Sequence, residues 1–264
     1  MKRKLYCAFV ELTGNRFFSY ILKSFASSSV SRLLNRSFVN FYHIDQVEME
    51  KPLHEYRSLQ QLFTRKLKAG LRPIAGGNNT FVSPVDGILA TYGTVDSNIS
   101  FRVKEQNYSL EEMLGSKETA EKYEHGVYMI FYLSPSNYHR FHAPISGEVI
   151  KQWTLGNVSY PVNEHGLRLG KRPLSRNYRL ISEMNFRNKR MAYVKVGALN
   201  VNSIHLTHKN NHLEKGEEVG YFAFGSTVIL LFEENMIEVD QGLTSPTNVK
   251  VGEKIGEYKE NKKS

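Results

Sequence analysis

The 264-residue chain predicts an α+β fold, with N-terminal helices followed by a β-rich, mainly antiparallel core. Three observations carry that prediction. Large apolar residues recur at helical steps through roughly the first 40 positions. From Thr80 onward the sequence breaks into short strand-like runs separated by Pro and Gly. Two pairs of turn motifs repeat within that half, which points to internally duplicated hairpins.

The helical signal comes first. Phe17, Phe18, Ile21, Leu22, Phe25, Leu33, Leu34, Phe38 and Phe41 approximate one apolar face. The basic residues Lys2, Arg3, Lys4, Arg16, Lys23, Arg32 and Arg36 accompany them, and Glu11 is the only acidic residue before Asp45. Much of the formal net charge of +9 therefore sits in this arm. Basic residues interleaved with large aromatics suit a helix lying on anionic lipid, and two helices covering a core would use the same residues. The apolar run 5–10 is too short for a secretory signal, and no run approaches the ~18 residues of a spanning helix. Residues 1–50 are thus expected to form a basic amphipathic arm that lies on a membrane without crossing it, ahead of a globular domain over 51–264.

Ser58-Leu-Gln-Gln61 reads as a capping box and predicts a helix to about Leu67. Arg72-Pro73 and Gly76-Gly77-Asn78-Asn79 end it. Strands are expected at 126–133, 147–154, 191–196 and 227–232. A second capping box, Ser109-Leu-Glu-Glu112, predicts a helical insertion to about Tyr123. The repeated turns are Ser83-Pro-Val-Asp-Gly87 with Ala143-Pro-Ile-Ser-Gly147, and 216–222 with 252–258. Cys7 is the single cysteine, so there is no intrachain disulfide and a reducing compartment fits best.

Gly225-Ser226-Thr227 interrupts the apolar stretch 221–232. A buried strand is weakened by Gly, which marks a bulge or a close backbone approach. A hydroxyl directly after an unshielded Gly carbonyl can also attack the peptide bond that precedes it. Asp86 in a Pro-Val-Asp-Gly turn, and His139 and His142 in Tyr138-His-Arg-Phe-His-Ala-Pro144, supply an acid and two imidazoles. Acid, imidazole and hydroxyl are the parts of an activated nucleophile, although each residue alone also reads as a turn or surface group. The pairs His139-x-x-His142 and His205-x-x-His208 invite a zinc reading. Both lie in strand-like sequence, where i and i+3 point to opposite faces, which argues against it. No G-x-S-x-G elbow surrounds Ser226, and the strand that follows suits a serine whose target is its own backbone.

At these residues the chain resembles the phosphatidylserine decarboxylases. Phe224-Gly225-Ser226-Thr227 is similar to that family's Gly-Ser-Thr cleavage motif, which often carries Leu where Phe224 stands. Pro84-Val-Asp86-Gly87 is similar to its Pro-x-Asp-Gly turn, and residues 138–144 to its Tyr-His-Arg-x-His-x-Pro segment. Segments 63–73 and 196–204 add to a resemblance that spans about residues 58–258 in order. The first 50 residues carry no matched motif.

The resemblance implies a proenzyme in which Asp86 orients His142, His142 deprotonates Ser226, and Ser226 attacks the Gly225 carbonyl. The resulting ester undergoes β-elimination, and hydrolysis with loss of ammonia leaves a pyruvoyl group at position 226. Cleavage then gives a large chain (1–225) and a small chain (226–264) that stay together as a heterodimer, with further homo-oligomerisation left open. The pyruvoyl group replaces pyridoxal phosphate, without a metal, as the electron sink. It forms a Schiff base with the amine of phosphatidylserine and accepts the electrons released with carbon dioxide, so that phosphatidylethanolamine is produced. His139 is assigned to this second stage. The same resemblance implies a peripheral enzyme on the cytoplasmic side of the cell membrane and no nucleic-acid partner. A non-catalytic lipid-binding relative would show erosion at Asp86, His142 or Ser226, and none is seen. A serine hydrolase acting on external esters would leave the chain intact.

Overall fold

A computed structural model describes residues 16–103, 106–158, 160, 162, 172–198 and 203–260. The run 5–10, Cys7 and the basic residues before Arg16 lie outside the described residues, as do residues 199–202 of the 196–204 segment and the side chains of Phe17, Phe18 and Leu22.

Helices α1 (Arg16–Ser27) and α2 (Asn35–Tyr42) are joined by a 3-10 turn over Ser29–Leu34. Their apolar residues divide between two surroundings. Val39 and Ile44 pack with Met49, Tyr56 and Leu62 in a small core, so this packing unit extends past residue 50. Tyr20, Ile21, Phe25, Val30, Leu33 and Phe41 remain exposed, Leu33 by 82% and Phe41 by 75%. None of the described helices is long and apolar enough to cross a membrane.

Helix α3 (Leu59–Phe63) starts as expected, with the Ser58 hydroxyl accepting from Gln61 N. The reciprocal arm of the box differs, because Gln61 Oε1 accepts from Arg57 N. The helix also ends four residues before Leu67. Residues 66–68 have their backbone taken by 48–50, through Glu50 N to Lys66 O and Lys68 N to Glu48 O, and so cannot continue a helix.

Strands β1 (Thr80–Val82) and β2 (Gly87–Thr94) precede a hairpin of β3 (Ser100–Val103) and β4 (Gln106–Ser109). The expected insertion is two short helices, α4 (Leu110–Leu114) and α5 (Lys117–Glu121), separated by Gly115 at φ 90°. Next come β5 (Val127–Leu133), β6 (Arg140–His142), β7 (Gly147–Leu155), a single turn α6 (Pro173–Arg176), β8 (Arg179–Phe186) and β9 (Lys189–Gly197). The C-terminal part holds β10 (Ile204–Leu206), β11 (His212–Leu213), β12 (Glu218–Phe222), β13 (Ser226–Phe232), β14 (Ile237–Val239), β15 (Thr247–Val249) and β16 (Lys254–Tyr258).

Eight strands form an antiparallel sheet in the order β11-β7-β8-β9-β13-β5-β2-β15, and two three-stranded sheets run β1-β16-β14 and β10-β12-β6. This order reads as two matching halves that meet between β9 and β13. The duplication hinted at by the turns is visible bond by bond. Val82 N donates to Pro144 O, and His142 N donates to Pro84 O. Ser83 N bonds Glu253 O as Ala143 N bonds Glu217 O, and Gly252 N bonds Ser83 O as Gly216 N bonds Ala143 O. The register breaks also match, between Leu89 and Thr91 in β2 and between Val149 and Lys151 in β7. Strand β13 therefore lies at the centre of the large sheet, and all seven of its residues are buried.

Candidate active site at Gly225 and Ser226

Ser226 opens β13, opposite Gly197 of β9 and Leu133 of β5, and its side chain is fully buried. Gly225 lies just before the strand, and its carbonyl accepts from Ala198 N at 2.9 Å. A Cβ at Gly225 would meet only the Ala198 methyl, at 3.9 Å. The close backbone approach expected from the sequence is therefore absent here, and the glycine leaves open space beside its own carbonyl carbon.

His139 is the imidazole nearest Ser226, with Nδ1 3.4 Å from the serine Oγ. Its Nε2 lies 2.9 Å from Ser134 O, an acceptor, so Nε2 carries the proton and Nδ1 presents a bare lone pair to the hydroxyl. Phe63, at the end of α3, stacks on the imidazole at 3.9 Å between ring centroids and also approaches Phe224. Burial, and then the neighbouring Arg65 guanidinium, push His139 down from 6.5 to about 3. It is neutral at physiological pH.

His142 lies three residues along, at the end of β6. Its Nδ1 donates to Gly216 O, which leaves Nε2 as a buried lone pair with no partner among the described residues. Burial lowers its pKa, while the Gly216 carbonyl and the charges of Glu218 and Asp86 act in the opposite direction. The His142 carbonyl accepts from Tyr193 Oη, which ties β6 to the large sheet.

The Asp86 carboxylate is gripped by Arg72 through Nε and Nη2, and Arg72 reaches on to Glu48. Asp86 Oδ1 also accepts from Val251 N. No hydrogen bond links Asp86 to His142 or His142 to Ser226, so the expected relay is not assembled in this uncut chain. Only His139 meets the serine: it lies just before β6, where its carbonyl accepts from Phe222 N, whereas His142 ends the strand three residues on. The other H-x-x-H pair is engaged elsewhere. His205 stacks on Tyr221 and His208 bonds Asn210 O.

Several groups of the site carry no individual signal in the sequence. Ala198 acts through its backbone, and Phe63, Arg65 and Arg72 sit within the 63–73 resemblance without a pattern that assigns them a task. Arg65 is buried and donates to Ser136 O and Asn137 O, fixing the loop that carries His139.

Comparison with known proteins finds relatives over nearly the whole chain. The family profile for phosphatidylserine decarboxylase matches residues 59–257. A protein named phosphatidylserine decarboxylase proenzyme from a Geobacillus species is 53% identical over 259 residues, covering 98% of this chain and 100% of the relative. One of the same name from Anoxybacillus flavithermus is 52% identical over the full length of both chains. Another from Bacillus thuringiensis is 52% identical over 97% of each.

Proposed function

The chain belongs to the phosphatidylserine decarboxylase family, and from that premise we propose that it is a proenzyme that cuts itself between Gly225 and Ser226 and then converts phosphatidylserine to phosphatidylethanolamine. The observation that carries this reading is the buried Ser226 hydroxyl, which directly follows a Gly225 carbonyl that accepts from Ala198 N and has the His139 imidazole beside it.

In the first stage the Ser226 Oγ loses its proton to an imidazole and adds to the Gly225 carbonyl carbon, while Ala198 N–H holds the developing oxyanion. The bond to Ser226 N then breaks, the nitrogen takes the proton, and an ester joins Gly225 to Ser226 Oγ. Loss of the Ser226 Cα proton expels the Gly225 carboxylate, and hydrolysis of the remaining unsaturated residue releases ammonia and leaves the pyruvoyl group.

The two histidines suit different stages. The imidazolium form of His139 is opposed by burial and by Arg65, with only the Ser134 carbonyl in its favour. The imidazolium form of His142 is opposed by burial and by Arg140 as well, but it is assisted by Gly216 O, Glu218 and Asp86. His142 is therefore the better proton store and the proposed base, with Asp86 acting on it through its field. To act on Ser226 it would have to shift its side chain or work through a bridging water, since no direct bond joins the two. His139 stays neutral beside position 226 and serves the decarboxylation.

The pyruvoyl group would be held at position 226, where the buried surroundings fit an uncharged ketone, and it supplies the carbonyl that combines with the substrate amine and takes up the electrons released with carbon dioxide. Phe63 and Phe224 help keep water from that centre. The exposed apolar residues of α1 and α2, with Lys23, Arg32 and Arg36 on the same arm, support peripheral attachment to an anionic membrane surface.

Mass spectrometry of the purified protein tests the reading. Chains 1–225 and 226–264 are expected, the smaller starting with pyruvoyl, and Ser226→Ala should remain whole. A single intact chain in a preparation that decarboxylates phosphatidylserine would refute it. His142→Ala should block cutting, whereas His139→Ala should be cut but fail to decarboxylate; the reverse pattern would exchange their roles.

A further inference from the structure

Ser203 is fully buried, and its Oγ has no hydrogen-bond partner among the described residues. Buried hydroxyls are nearly always paired, so an orphan one requires an account. Its position is well defined. A Cβ added to Gly197 would lie 2.5 Å from Ser203 Oγ, so the hydroxyl occupies the space where a side chain of residue 197 would be. Its backbone is anchored, with Ala223 N donating to Ser203 O at 2.7 Å.

Gly197 pairs directly with Ser226. The bond from Ala198 N to Gly225 O makes this a narrow, non-hydrogen-bonded pair, in which side-chain positions lie on one face about 5 Å apart. Ser203 Oγ therefore stands beside the Ser226 side chain, in the slot that Gly197 leaves empty.

That placement acquires a use if the chain cuts itself, and the inference rests on that reading. In the uncut chain the Gly225 carbonyl points along the ladder to Ala198 N. Transfer of its acyl group from Ser226 N to Ser226 Oγ carries the carbonyl out of the ladder and onto the side-chain face. We propose that the Ser203 hydroxyl receives the shifted Gly225 carbonyl there and donates a hydrogen bond to the carboxylate as it leaves in the β-elimination. In that step a base removes the Ser226 Cα proton, the Cα–Cβ double bond forms, and the Cβ–Oγ bond breaks with its electron pair remaining on the Gly225 carboxylate. No oxidant or reductant is involved. The donor is neutral, pre-positioned and free of competing partners among the described residues, which is the arrangement that stabilises charge at the moment it develops.

The test follows processing of the full-length chain in cell-free translation by mass spectrometry. Ser203→Ala removes an oxygen that is unpaired among the described residues, so its melting temperature should match or exceed that of the parent, while formation of the 226–264 chain should slow on the order of 10–100-fold. The ester should accumulate, and neutral hydroxylamine should then release a 226–264 fragment that begins with unmodified Ser226. Ser203→Thr, which retains the hydroxyl, should process at a rate close to the parent's. Processing of Ser203→Ala at the parental rate overturns the proposal, as does slowing without a hydroxylamine-sensitive ester. A melting temperature well below the parent's also overturns it, because the hydroxyl would then have a structural partner. A parent chain that is never cut would refute the self-cleavage reading itself, a result distinct from all of these.

Discussion

His139 makes a measurable demand on stability. It is fully buried, and desolvation followed by the Arg65 charge pushes it from 6.5 down to about 3. In the unfolded chain the imidazole titrates near its ordinary value. Between those two values the unfolded state binds a proton that the folded state refuses, so stability is complete above about pH 6.5 and declines as pH falls. The slope is about 1.4 kcal/mol per pH unit, which gives about 2 kcal/mol lost between pH 7 and pH 5 and about 4 kcal/mol by pH 3. His142 and His205 are also held below their ordinary range, and Glu48 is lowered by its bond to Arg72, all with the same sign. The total slope is therefore not diagnostic, but the difference made by one substitution is. In a Ser226→Ala background, which keeps both proteins uncut, urea unfolding of the parent and of His139→Gln can be followed through Trp153, the only tryptophan. The parent should lose about 2 kcal/mol more than the variant on moving from pH 7 to pH 5. Equal losses would show that His139 is free to protonate in the folded chain, and would remove the argument that it acts as a neutral group.

Two further outcomes follow from side chains elsewhere. Lys195 is wholly buried, bonds only Ser182 Oγ among the described residues, at 2.7 Å, lies over the Tyr193 ring and is held well below its ordinary pKa by burial. Because the unfolded chain keeps that proton up to about pH 10, Lys195→Met should stabilise the fold at pH 7 by about 1–4 kcal/mol and flatten the rise in stability toward alkaline pH; a lower melting temperature at pH 7 would contradict this. On the arm, replacing exposed Leu33 and Phe41 together by Glu should weaken sedimentation with anionic vesicles by about tenfold or more, since each apolar side chain contributes about 1.5–3 kcal/mol when buried. Unchanged sedimentation would detach this surface from the membrane reading.

Much of the fold was legible because turns are fixed by a few residues. Pro84 and Pro144, with Gly87 and Gly147, mark equivalent corners, and the backbone bonds of the two corners correspond one for one. The end of α3 was not legible, because Phe63 and Leu67 have the same helical credentials and the difference is made by residues 48–50 claiming the backbone beyond. At the site, Gly225-Ser226 was visible as a local anomaly in an apolar strand. Which histidine faces it was not, since His139 just before β6 and His142 at its end share the same short segment and carry no local mark that separates them. Arg72, Phe63 and Ser203 were silent because their tasks depend on contacts across the fold, with Asp86, His139 and the empty place at Gly197.

The duplication also separates structure from chemistry at Asp86. Its equivalent in the other half is Ser146, and the two do the same local work: Asp86 Oδ1 accepts from Val251 N at 2.9 Å, and Ser146 Oγ accepts from Lys215 N at 2.9 Å. A neutral hydroxyl is therefore sufficient to close this turn. The negative charge at Asp86 exceeds that need and draws in Arg72, which in turn requires Glu48 as a second carboxylate. A charge that the turn does not require, whose field favours the protonated form of His142, fits a proton-handling task better than a structural one. Asp86→Ser tests the distinction, since it should restore the closure seen at Ser146 and leave the fold intact. Self-cleavage should nevertheless fall, and parental processing by that variant would reduce Asp86 to a turn residue.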